Sequence, residues 1–150
     1  MLRTALVMHP VVRDELIRPD HFERLERVVD LAGREPFRNL DGLGGDLARV
    51  EVLVTSWGCP PIGPEAVERM PRLRLIAHLA GSVKGFLDDA VWRRGVLVTN
   101  AVAANAVPVA EYTVAAILFA NDAFYLVQTE LSSFEIEPTR ATNHERTLPE

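Results

Sequence analysis

Ala80-Gly81-Ser82-Val83-Lys84 is the stretch whose residue types best suit chemistry. Small residues between a strand and a helix leave successive backbone N–H groups open, and such groups can hold a carboxylate or a phosphate. An ordinary tight turn has the same composition. Gly42-Leu43-Gly44-Gly45 has glycines but not the dinucleotide spacing, since the third glycine would fall at Leu47. A surface turn explains it better, and no phosphate-cradling G-x-x-x-x-G-K-[ST] run occurs. Cys59 stands alone in a strand-exit loop, with no partner in sequence to lower its pKa. His9, His21, His78 and His144 include no pair at metal-ligand spacing. His9 and His78 fall near strand ends and could face a ligand or simply be hydrogen-bonded. Asp88-Asp89 opens a helix, where carboxylates suit the helix dipole without a catalytic role. The strand ends that a phosphoacceptor pocket needs to be acidic carry His9-Pro10 and Thr55-Ser56 instead.

Positioning these residues requires a scaffold, and the chain spells one out. Apolar runs at Thr4–Met8, Val50–Thr55, Leu73–Leu79 and Val96–Thr99 read as buried strands. Val28–Leu31 is either a helix end or a short strand. Helices are expected over Pro19–Val29, with Asp20 as cap and Glu23 three residues on, and over Pro64–Met70 and Phe86–Arg94. Gly95 stops the last of these. Asn39–Gly45 reads as a loop. Asn105 or Val107 opens a long helix to about Thr129. Alternating strands and helices imply an α/β fold: a flavodoxin-like, doubly wound parallel sheet of about five strands. Solid apolar strands fit a sheet covered on both faces. Ligands then bind beyond the strands' C-terminal ends, where His9–Val12, Ser56–Gly63, Ala80–Gly85 and Asn100–Val107 lie. The organisation expected is a domain over 1–104, a long helix over 105–130, and a polar tail over 131–150.

Composition sets outer bounds. The 150 residues are 48% hydrophobic and 25% charged, with a formal net charge of −5. That suits a compact domain and gives no electrostatic footprint for nucleic acid or an anionic membrane. One cysteine excludes an internal disulfide. No targeting segment stands out, so the cytoplasm is the expected compartment. The uncharged stretch Tyr112–Ala120 is much shorter than the about 20 residues of a membrane span. A helix apolar all round needs burial all round, so a second domain, a second subunit or more chain is expected to cover it. As an isolated monomer the chain is expected to be poorly soluble.

The run LRLIAHLAGSVKGFLDDAVWRRGVLVTNAVAANAVPVAEYTVAAILFA, from Leu73 to Ala120, resembles the substrate domain of the D-isomer-specific 2-hydroxyacid dehydrogenases. Three features match together: an L-x-L-I-A strand with a small-residue loop, a helix ending R-R-G before V-L-V-T-N, and A-N-A-V-x-V-A-E-Y-T opening an apolar helix. The resemblance implies that backbone amides of Gly81 and Ser82, with Val83, hold a substrate carboxylate. It implies that Asn105 helps bind substrate, that Trp57 and Gly58 line the cleft, and that Val109 lies near a nicotinamide ring. The family usually has glycine where Ser82 stands and aspartate where Lys84 stands.

The resemblance also implies what this chain lacks. Relatives have two domains and about twice this length. Their nucleotide fingerprint, substrate-gripping arginine, supporting glutamate and acid–base histidine all follow the long helix. No residue here takes a catalytic role, and NAD or NADP has no complete site. The expected function is the substrate-binding portion of an NAD(P)-dependent 2-hydroxyacid oxidoreductase for a small 2-hydroxy or 2-oxo acid, inactive alone. The expected origin is a shortened gene product or a piece of a longer enzyme, and the expected assembly is a homo-oligomer or a pairing with a partner domain. The alternatives are a standalone small-carboxylate-binding or regulatory module, and a structural partner pairing through Tyr112–Ala120.

Overall fold

A computed structural model describes residues 1–133. Five strands form one sheet: β1 (Leu2–Val7), β2 (Val29–Leu31), β3 (Val52–Thr55), β4 (Leu75–His78) and β5 (Leu97–Asn100). All pairings are parallel, in the order β2-β1-β3-β4-β5. This is the doubly wound order expected from the alternating pattern. The short β2 resolves the ambiguity at Val28–Leu31 in favour of a strand.

β3 and most of β1 are apolar and covered on both faces, whereas the edge strands β2 and β5 are partly exposed. Leu53 and Ile76 join Leu43, Leu47, Val67 and Val91 in one core. Val52 and Val54 point the other way, into a second core with Leu6, Ile17 and Phe22. Single-residue alternation along β3 thus assigns each side chain to a face.

The helices are α1 (Pro10–Leu16), α2 (Pro19–Val28), α3 (Pro64–Arg69), α4 (Asp89–Arg93) and α5 (Val102–Ser133). Several expectations need correction. α1 replaces the expected loop at His9–Val12, with Pro10 in its first turn. In α2 the N-cap is Arg18, whose side chain makes no capping bond, so Asp20 does not cap. Asp20 sits in the first turn, where its charge suits the helix dipole. Val28, at the helix end, is exposed. The expected loop at Asn39–Gly45 gives way to tight 3-10 turns over Asp41–Arg49, broken at Gly44 with φ 51°. Its Leu43 and Leu47 are buried, which explains why a glycine-rich run still folds inward. α4 is shorter than Phe86–Arg94, because the Asp88 side chain accepts from the Ala90 N–H at 2.8 Å and starts the helix there. Gly95, with φ 76°, ends it as expected. The Arg94 guanidinium donates to the carbonyls of Val67 and Pro71, tying α4 to the end of α3.

α5 begins at Val102, not at Asn105 or Val107. The Asn100 side chain accepts from the Val102 N–H at 3.2 Å, so Asn100 provides the cap. The helix carries Pro108 within it and extends past Thr129 to Ser133. The expected tail over 131–150 lies outside the described residues from 134 onward. The chain divides into two compact units, Met1–Val109 and Ala110–Glu150. The long helix is not buried all round: none of Val102–Glu130 is buried. By length and composition alone Val102–Glu130 suffices to cross a bilayer, and Tyr112–Ala120 is only its uncharged middle.

Candidate functional site

The candidate site lies in the Met1–Val109 unit, where β1, β3, β4 and β5 end side by side. Parallel register brings Thr55 opposite His78, and His78 opposite Asn100. Backbone bonds then stitch the exits together. Leu79 N–H donates to Thr55 O at 2.8 Å, Ala101 N–H to Ala80 O at 2.9 Å, and His9 N–H to Trp57 O at 3.0 Å.

The loop after β4 carries the anion-binding potential. Among the described residues, no hydrogen bond uses the N–H of Gly81, Ser82 or Val83. The Ser82 hydroxyl instead accepts from the Lys84 N–H at 3.3 Å, which folds the loop tightly. A Cβ placed on Gly81 would lie 3.6 Å from Asn105 Nδ2. So the structure places the Asn105 amide beside the loop, as one ligand cradle requires. Asn105 is half-buried, and its side chain makes no hydrogen bond with the described residues. It therefore has hydrogen-bonding capacity to spare. Val109 follows one turn later and shares that face of α5.

Trp57 and Gly58 form the neighbouring wall. Trp57 is exposed. Gly58 has φ 84°, and a Cβ there would come within 2.9 Å of His9 Cβ and 3.0 Å of His9 N. Glycine is required at this position on both counts: the backbone is left-handed and the start of α1 leaves no room. The structure thus groups Trp57 and Gly58 with His9, and Gly81, Ser82 and Val83 with Asn105. The two groups leave adjacent strands, β3 and β4.

The remaining chemistry-bearing residues resolve differently. His78 is buried, with Nδ1 3.0 Å from the Thr55 hydroxyl and its ring 4.9 Å from the Phe86 ring. Burial pushes its pKa below the ordinary 6.5, and at 5% exposure it packs in the core. His9 is exposed. Cys59 is half-buried, and desolvation pushes its thiol up to about 12, the reverse of an activated nucleophile. Sequence reasoning missed Ser56. It is almost fully buried at the exit of β3, and its hydroxyl has no hydrogen-bond partner among the described residues. Nothing in its local sequence distinguishes it from a surface serine. Asn100 was also missed, although an asparagine directly before an apolar helical run is a readable cap signal.

The Gly42–Gly45 run does not fit a dinucleotide's phosphates. Gly42, Gly44 and Gly45 lie in the Asp41–Arg49 turns rather than between a strand and a helix N-terminus, and Leu43 among them is buried. Among the described residues, no three His, Cys, Asp or Glu side chains gather where they could hold a metal.

This geometry defines an α/β lobe whose strand-exit loops gather at one edge, and comparison with known proteins bears on the fold. No protein-family model matches the chain, and no curated protein matches it. Among solved structures, it is similar to a provisionally assigned D-3-phosphoglycerate dehydrogenase oxidoreductase from Ralstonia solanacearum, at 22% identity and a TM-score of 0.50. The match covers 67% of this chain and 30% of that one. The chain therefore shares the α/β fold of that structure over the matched part and spans under a third of its length.

Proposed function

We propose that this chain is the acid-binding lobe of a 2-hydroxyacid oxidoreductase. The observation that carries the reading is the pairing of three unbonded amides, Gly81 to Val83, with the unbonded Asn105 side chain. A carboxylate would accept from the amides, and charge-assisted bonds of this kind are roughly twice as strong as neutral ones. Asn105 would bond the neighbouring 2-hydroxyl or 2-oxo oxygen. Trp57 and Gly58 would form the wall against the rest of a small substrate. Val109 would face the cofactor side.

Hydride transfer and proton transfer are left to a second lobe supplying NAD or NADP. In this division the chain binds and orients the acid and carries no turnover of its own. The likeness in fold supports the class, and the misplacement of Gly42–Gly45 for phosphate binding supports the division.

Calorimetric titration of the chain with glyoxylate or hydroxypyruvate, without cofactor, tests the reading. Saturable binding is expected, in the millimolar range for a half-site. Absence of saturable heat at any accessible concentration would overturn it. Oxidation of NADH above a blank with either acid would overturn the division of labour.

A further inference from the structure

The segments that leave the strands at the site's edge, residues 9–12, 56–63, 80–85 and 100–107, hold a single formal charge, that of Lys84. It is also the only lysine of the chain. Lys84 is exposed, and among the described residues its ammonium pairs with no carboxylate. Arg3, Arg34 and Arg69, by contrast, are each held by a carboxylate within 3.0 Å. The Lys84 N–H donates to the Ser82 hydroxyl at 3.3 Å, which sets its side chain directly after the three unbonded amides.

Lys84 lines a recess of about 240 Å³ between the exit segments of β3 and β4. Ile62 ties the two segments together: its N–H donates to Phe86 O at 2.7 Å, and its C=O accepts from the Asp88 N–H at 3.1 Å. Pro61, Gly63 and Leu87 complete the walls. The one carboxylate at the recess, Asp88, is already engaged. It accepts from the Ala90 N–H at 2.8 Å and faces the Arg93 guanidinium at 3.9 Å. The Lys84 charge is therefore left for a ligand.

We propose that Lys84 selects acids carrying a second carboxylate: a 2-oxo or 2-hydroxy dicarboxylate whose far end enters this recess. The inference rests on the acid-binding reading of the Gly81–Val83 loop. One carboxylate takes the loop amides, and the other meets the ammonium of the next residue along, a separation that a short carbon chain spans. A single ammonium balances a single carboxylate. A phosphate brings about −1.5 to −2 charges and wants several donors. Here Pro61 has no N–H and that of Ile62 is spent on Phe86 O. The net charge of −5 repels a dianion at long range, so any preference for one has to be local.

Calorimetric titration of the full 150-residue chain with 2-oxoglutarate and with 2-oxohexanoate, a monoacid of similar length, tests it. The dicarboxylate is expected to bind about fivefold more tightly or better in low salt, with the ratio shrinking as salt rises. Lys84→Ala is expected to bring the ratio to one or below, and Lys84→Arg to retain the preference. Arg72→Ala, an exposed site ahead of β4 with the same loss of charge, is expected to leave the ratio as it is. Circular dichroism establishes that each variant keeps the fold. Equal affinities in the wild-type chain, or a preference that survives Lys84→Ala, would overturn the proposal and leave the acid-binding reading standing. Tighter binding of 3-phosphohydroxypyruvate than of 2-oxoglutarate would overturn the choice of a dicarboxylate. Saturable binding of no acid at all would overturn the acid-binding reading and the proposal with it.

Discussion

The side-chain amide of Asn105 lies against Gly81, 3.6 Å from where a Cβ on that glycine would sit. The two are 24 positions apart in sequence. β4–β5 pairing and the Ala101 N–H bond to Ala80 O bring them together. Contact at 3.6 Å is ordinary van der Waals distance, so Gly81→Ala is expected to fold, with stability changed by less than about 1 kcal/mol. Its methyl group crowds the space a carboxylate needs, and acid binding should fall at least tenfold. Thermal denaturation and calorimetry on one preparation separate the two effects.

Asn105→Ala should weaken acid binding without affecting folding. Losing one hydrogen bond to a charged or polarised oxygen costs about 1.5–3 kcal/mol, or roughly 10- to 150-fold in affinity. The half-buried position implies little change in Tm. An unaltered affinity would remove Asn105 from the site.

Gly58→Ala is expected to destabilise the fold by about 1–3 kcal/mol. A side chain at φ 84° is strained, and its Cβ would meet His9 at 2.9 Å. Gly63→Ala is the matched control, since nothing lies within 4 Å of a Cβ there and its φ is −89°. Urea denaturation of the two variants should differ clearly, and equal stabilities would contradict the packing described.

His78 should make stability depend on pH. Burial holds its folded-state pKa below 6.5, so the unfolded chain takes up the proton first as pH falls. The unfolded state then binds more protons, and stability declines as pH drops from 6.5 toward the folded pKa. Above 6.5 this contribution is fully present. His78→Asn should flatten that part of the profile in denaturant titrations at pH 5.5, 6.5 and 7.5. A wild-type profile that rises on acidification through this range would contradict the assignment.

The central strands could be read from the chain because they are short, apolar and buried on both faces, as Val52–Thr55 illustrates. Helix starts were less legible. Pro10 looked like a strand stop yet occupies a first helical turn, where its missing N–H costs nothing. Asn105 looked like a cap, but Asn100 caps α5, which leaves the Asn105 side chain available for a ligand. The turns at Asp41–Arg49 read as a loop because glycine dominated the composition, while Leu43 and Leu47 supply the burial. In the candidate site, the Gly81–Val83 loop was visible as a run of small residues. Its closeness to Asn105 depends on strand register, and the burial of Ser56 on packing. Neither is written in local sequence.

The most direct test is a nitrogen–proton correlation spectrum of the labelled chain titrated with hydroxypyruvate. The account predicts saturable shifts at the amides of Gly81, Ser82 and Val83 and at the Asn105 side-chain NH₂, with acetate shifting the three amides more weakly. Those resonances staying still, while peaks elsewhere move or none do, would contradict it.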